Sequence, residues 1–197
     1  MNLTQDRILT ETQAKKFLRE VAREKDASMA TGENYKFVTD HFLFQLAYFV
    51  GARITELSCL TWEDVGEDFI IIKHGKGGKK RTVTVGDKTL GLLSEFRNFQ
   101  NKKLKRDCNP SDFIFQGQRG KLTRYGINHR MNYWKNRLGL PAAITFHSWR
   151  HGAATRWLDV GLPLSAVRDQ LGHSNISITS VYLHFSRDAK ERMKAIS

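Results

Sequence analysis

Only two cysteines, Cys59 and Cys108, occur in the 197 residues, and no Cys-x-x-Cys pair is present. This excludes the dense disulfide framework of a small secreted domain and a thiolate zinc site, and points to a reducing cytoplasm. No stretch is apolar over the length a bilayer demands, and the opening MNLTQDRILTETQ has no apolar signal core, so neither a membrane span nor a leader is expected. There is no Walker glycine loop for a nucleotide and no evident set of paired carboxylates for two metal ions. His147 and His151 stand one helical turn apart, but the glutamate of an HExxH zinc helix is missing. No metal and no cofactor are therefore expected. Internal repeats and low-complexity linkers are also lacking.

Acidic residues are the minority among the charges, 20 Asp and Glu against 32 Lys and Arg, for a formal net charge of +12. Such a surplus favours a polyanionic partner, nucleic acid first, although a solvated basic surface accounts for it equally well on charge alone. A membrane-surface role fits less, because the basic residues are spread through the chain and form no basic amphipathic helix. With 40% hydrophobic residues the chain can bury an ordinary core as one domain or two small ones.

Periodicity sets out a mainly helical chain with a small antiparallel sheet. Thr10 and Gln13 have capping-box spacing, and AKKFLREVAREK after them predicts a helix of about four turns with Phe17, Leu18 and Val21 on one stripe. The polar stretch from Asp26 to Lys36, with Gly32, reads as a loop. Residues 37–50, FVTDHFLFQLAYFV, are apolar nearly all round and predict a buried central helix. After Gly51 a short helix follows in which Arg53 and Glu56 share a face. Phe69–Lys73 and Arg81–Val85 read as strands of a hairpin with the glycine-rich tip HGKGGKK, and Asp112–Phe115 as a third strand. Helices are expected over Leu90–Lys103, Tyr125–Leu138, His147–Asp159, Pro163–Leu171, Ile176–Tyr182 and from Arg187 onward.

The densest polar cluster is HSWRHGAATRWL. On a helix His147 and Arg150 are neighbours, while Trp149, Ala153 and Trp157 form an adjacent core stripe. Arginine offers a planar fork of donors that matches two phosphate oxygens, and histidine donates a hydrogen bond or exchanges a proton near neutral pH, a pairing suited to phosphoryl chemistry. Taken alone, such a pair is more often a solvated helix face. A second cluster, LGHSNISITSVYLHF, places His173 after a helix-ending glycine and Tyr182 nine residues later.

The ordered set GARITEL, GKGGK, HSWRH, LGH and Tyr182 resembles the tyrosine recombinase (phage integrase) family in residue type, order and spacing. The resemblance runs from about Leu9 to the end, making 9–197 a catalytic domain behind an extension of residues 1–8. The helical DNA-clamping domain that usually precedes it in this family has no counterpart, so a naturally short enzyme and a catalytic fragment are both open readings.

The resemblance implies that Arg53 and Arg150 grip the non-bridging oxygens of a scissile DNA phosphate. It also implies that Lys76 protonates the departing 5′-oxygen, that His147 assists proton transfer from the tyrosine, and that His173 hydrogen-bonds the phosphate. Tyr182 is then the nucleophile, forming a 3′-phosphotyrosyl link whose retained bond energy allows rejoining without ATP or metal. The partner implied is double-stranded DNA, with Lys79, Lys80, Arg81, Arg119, Lys121 and Arg124 as candidate contacts. The assembly implied is a tetramer on paired sites, weak or monomeric without DNA, in which the tail 183–197 is available for docking. A non-cutting DNA-binding regulator of the same fold and a type IB topoisomerase are the rival readings. Two departures from the family pattern, Trp149 in place of Leu and Gly152-Ala-Ala in place of Thr or Ser, fall on or near the packing face.

Overall fold

In the computed structural model of the chain, which describes residues 3–73, 80–117 and 120–186, helix α1 (Glu11–Thr31) starts at the expected capping box. Thr10 Oγ1 accepts from the Gln13 amide at 3.3 Å, and Gln13 Oε1 accepts from the Thr10 amide at 3.0 Å. The helix runs well past the predicted four turns, through most of the segment expected as a loop, and stops at Gly32 in the left-handed region. Ala27, Met29 and Ala30 are good helix formers, so the polarity of that stretch marks an exposed face and not a break.

Helix α2 (Lys36–Val50) is the buried centre that its all-round apolar sequence predicts. Phe44 meets Phe17 of α1 edge-on at 4.7 Å between ring centroids, and Phe17 meets Trp149 at 5.0 Å. Each such ring removed from water is worth roughly 2–3 kcal/mol. Asp40, buried on α2, accepts from Trp134 Nε1 at 2.8 Å and from Arg130, which ties α5 (Arg124–Arg137) to the core. Helix α3 (Ile54–Ser58) follows, then a 3-10 turn at Trp62–Asp64.

Strands β1 (Phe69–Ile72) and β2 (Arg81–Thr84) pair antiparallel, with Ile70 opposite Val83 and both facing the core. The hairpin tip, with Lys76 and Lys79, lies outside the described residues. Helix α4 (Asp87–Leu104) comes next. The third strand expected over Asp112–Phe115 is not formed. That segment makes an isolated bridge between Phe113 and Thr61, and the second pair of strands is β3 (Gln116–Gly117) with β4 (Gly120–Lys121). Thr61 leads directly into the 3-10 turn, so the ladder has no further partner residues along which to extend.

The last part of the described chain is α6 (His147–Asp159), α7 (Leu164–Leu171), α8 (Ile176–Ser180) and a 3-10 turn at Val181–His184. The single helix predicted to end at Tyr182 is thus split in two, and the helix expected from Arg187 lies outside the described residues. A Cβ on Gly152 would sit 2.6 Å from the Leu9 carbonyl oxygen, so the small residues that follow Arg150 let α6 pass against the N-terminal segment. Tyr182 packs in a second small cluster with Ala154, Leu158, Val167 and Leu171.

Candidate active site

Gly51 makes the turn that brings α2 and α3 to the site. It sits at φ 60°, and a Cβ there would lie 3.1 Å from that of Ala153 and 3.2 Å from the Trp157 ring. A side chain would meet both the steric cost of this backbone region and the packed α6. Two residues on, Arg53 opens α3, and its guanidinium donates to Glu56 Oε1 at 2.8 Å while its amide donates to Oε2 at 2.7 Å. The same carboxylate receives Arg81 of β2 on both oxygens, at 2.7 and 2.8 Å. Burial by itself raises the pKa of Glu56, but the bonds and charge of Arg81, the Arg53 amide and the charge of Arg150 outweigh it and hold the group at about 2. Glu56 is therefore ionised, and it fixes the direction in which Arg53 points.

Helix α6 carries His147, Arg150 and His151. Arg150 is 1% exposed, which makes it one of the largest fully buried side chains. Its Nη1 donates to the Gly51 carbonyl at 3.0 Å and its Nη2 to the Leu171 carbonyl, so the fork is held between the α2–α3 turn and the end of α7. Burial and the neighbouring Arg53 depress its pKa, yet a guanidinium keeps its proton at neutral pH. Two of its five N–H donors are used in these bonds, leaving others for an anion. Beside it, the His147 ring stands at the exposed rim and meets the His151 ring edge-on at 4.5 Å.

Tyr182 enters from the 3-10 turn with its ring buried, 3% exposed, and its hydroxyl 2.9 Å from His151 Nδ1. His173, just past the Gly172 cap of α7, stacks on Tyr182 with centroids 6.3 Å apart and holds Thr179 Oγ1 at 2.9 Å through Nδ1. Burial raises the phenol's pKa and outweighs the opposing charges of Arg150 and Arg53. Despite the cations around it, the phenol therefore keeps its proton in the free protein at neutral pH. The assembled groups, two fixed guanidinium forks beside a phenol and three imidazoles, can hold a phosphate-like anion against a hydroxyl nucleophile.

The sequence matches the phage integrase family over residues 7–188. This chain belongs to the phage integrase family. Tyrosine recombinase XerC of Leptospira interrogans serogroup Icterohaemorrhagiae serovar copenhageni is 32% identical over 161 residues, which are 81% of this chain and 50% of that protein. Tyrosine recombinase XerD of Pseudomonas putida is 31% identical over 158 residues, 79% of this chain and 53% of that protein. This phage integrase family chain thus spans about half the length of the curated relatives it matches. The fold agrees with the crystal structure of XerH site-specific recombinase bound to palindromic difH substrate in a post-cleavage complex, at TM-score 0.75 and 24% identity, over 98% of this chain and 54% of that one.

Of the residues singled out by the family resemblance, the structure brings Arg53, His147, Arg150, His173 and Tyr182 into one neighbourhood. Lys76 falls outside the described residues, as do Lys79 and Arg119. Lys80, Lys121 and Arg124 are exposed. Lys121 Nζ lies 3.2 Å from Cys59 Sγ, and Arg124 stacks over Tyr125 at 5.3 Å. Arg81, named among the candidate DNA contacts, instead spends its guanidinium on Glu56 and on the Gln170 carbonyl, the latter at 3.1 Å. Those bonds give it a positioning role between β2, α3 and α7. Two site residues carried no role in the sequence reading. Glu56 was visible only as sharing a face with Arg53, and His151 only as the turn-mate of His147. Among the described residues, no group of three or more His, Cys, Asp or Glu could hold a metal ion.

Burial, reinforced by the surrounding cations, holds His151 and His173 at about 3, below the ordinary 6.5. Because the folded values are lowered, the unfolded chain binds protons that the folded chain refuses between pH 6.5 and about 3. The contribution of these neutral rings to stability is complete above that window and is lost as pH falls through it. The melting temperature of the free protein is expected to drop by several degrees between pH 7 and pH 5. A flat profile in thermal denaturation would contradict the buried, neutral state of these rings.

Proposed function

We propose that this chain is a site-specific recombinase that cuts and rejoins DNA strands through a covalent link between Tyr182 and a 3′-phosphate. The observation that carries the reading is the position of the buried Tyr182, whose hydroxyl lies 2.9 Å from His151 on the helix that also holds Arg150 and whose phenol feels the charges of Arg150 and Arg53. In the proposed step, Tyr182 Oη bonds to phosphorus, the P–O5′ bond breaks, and Lys76 supplies the proton for the departing oxygen. The two guanidinium forks bind the non-bridging oxygens and favour the pentacoordinate transition state over the ground state. The step draws on no metal and no nucleotide. Membership of the family and the DNA-bound state of XerH support it.

The partner under this reading is double-stranded DNA, met in a prokaryotic cytoplasm and contacted by Lys80, Lys121 and Arg124 with Lys79 and Arg119. Copies assemble as a tetramer on paired sites, with the tail 183–197 as one contact. Ile176, Ile178, Val181 and Leu183, exposed around the nucleophile, offer apolar surface for that assembly. With a formal charge of +12, affinity for duplex DNA should fall steeply between 50 and 200 mM salt, by about 1000-fold if six phosphates are contacted. Filter binding across a salt series measures this, and a flat response would count against a phosphate-led interface.

The test of the reading is incubation with a pool of nicked, sequence-randomised duplexes in the presence of a chelator, followed by a denaturing gel. A slow-migrating protein–DNA band is expected, because loss of the short strand beyond the nick traps the link. Intact binding without any band would favour a DNA-binding protein that does not cut.

A further inference from the structure

We propose that His151, one turn beyond His147, is the group that takes the phenolic proton from Tyr182 as the nucleophile bonds to phosphorus. The inference rests on the reading of Tyr182 as nucleophile and assigns the proton's destination within it.

The geometry carries it. Tyr182 Oη lies 2.9 Å from His151 Nδ1, within the reach that direct proton transfer requires. Among the three imidazoles of the site the division of labour is clear from their contacts. His173 stacks on the phenol ring and directs Nδ1 to Thr179, while His147, to which the family resemblance assigns this proton transfer, stands at the exposed rim. His151 lies between that rim and the phenol, part-buried, and its ring centroid is 5.6 Å from that of Tyr182. It also shares α6 with Arg150, so the proton acceptor and the phosphate-binding fork are set by one rigid element. A nucleophile paired with a base within hydrogen-bond reach is the general arrangement for activating a hydroxyl.

The charges facing His151 explain when the transfer occurs. His147 and Arg150 face it from α6, His173 from the end of α7, Arg7 from the N-terminal turn and Tyr182 from the 3-10 turn. Burial, these cations and the neighbouring imidazoles keep the ring neutral, so its Nδ1 accepts from the phenol and Nε2 carries the hydrogen. The same burial keeps the proton on Tyr182 in the free protein. A DNA phosphate entering among Arg53, Arg150 and His173 brings the negative charge that makes an imidazolium tolerable there. In the step Oη–P forms, P–O5′ breaks, the phenolic proton moves to Nδ1, and the leaving oxygen takes its proton from the general acid.

His151→Asn tests this, since the amide oxygen can accept the hydrogen bond but cannot take the proton. Single-turnover attachment to a nicked duplex should fall by about 100-fold at pH 7. The deficit should shrink as the pH is raised toward that of the phenol. It should also shrink when a fluorinated tyrosine of lower pKa replaces Tyr182. Attachment within about threefold of wild type would overturn the proposal. So would a deficit that neither high pH nor the fluorinated phenol relieves in a variant of unchanged melting temperature and DNA affinity, because a merely structural residue behaves that way. If the wild type itself forms no adduct, the reading of Tyr182 fails first and this proposal with it. An adduct with an unchanged His151→Asn rate sinks this proposal alone.

Discussion

Replacing Arg150 by lysine slows covalent attachment to DNA by about 100-fold or more. The side chain is buried, and two of its donors are bonded to the Gly51 and Leu171 carbonyls, which sets the plane of the fork. Lysine keeps a positive charge but offers it as a point, so it cannot bond both carbonyls and still present paired donors to two phosphate oxygens. The loss is expected in stability as well, by about 2–3 kcal/mol, because hydrogen bonds from a charged group are exchanged for unmet carbonyls. Stopped-time attachment assays and thermal melting separate the two. A variant that cleaves at near-normal rate would remove Arg150 from the phosphate site, and one that melts unchanged would mean that the two carbonyl bonds contribute little.

Tyr182→Phe abolishes attachment altogether while the domain stays folded and binds DNA within about threefold of wild type. The phenyl ring retains its place against Ala154, Leu158, Val167 and Leu171, and only the hydroxyl and its bond to His151 are lost. That single bond is worth about 1 kcal/mol, small against the burial of the ring. Attachment and binding measured side by side on the same nicked duplex give the result. Persistence of the adduct would move the nucleophile to another tyrosine, with Tyr125 and Tyr133, both exposed, the next to be replaced.

The sequence was most informative where a pattern has one physical solution. An apolar face all round, as in residues 37–50, has to be buried, and it is. The two β-branched runs pair antiparallel as expected. The grouping of Arg53, His147, Arg150, His173 and Tyr182 was legible because residue order and spacing within a known family constrain which side chains meet. Partners were much less visible. Nothing in the residue types announces that Glu56 binds Arg53 and Arg81 at once, or that Arg81 turns inward to the end of α7. The spacing of His151 from His147 signals at most a zinc pattern, while its contact with Tyr182 comes from the meeting of α6 with a distant turn. The polar stretch after Asp26 reads as a loop but is largely helix, because exposure and irregularity look alike in composition. The net direction of the Tyr182 pKa also required the structure, since residue types supply the cations but not the burial that outweighs them.

Whether Tyr182 forms the covalent bond to DNA is decided by protease digestion and mass spectrometry of an adduct trapped without metal. A nucleotide joined by its 3′-phosphate to the peptide containing Tyr182 is expected, with the released segment of the cut strand ending in a free 5′-hydroxyl. A nucleotide on any other residue, or a strand break that leaves the protein unmodified, would contradict it.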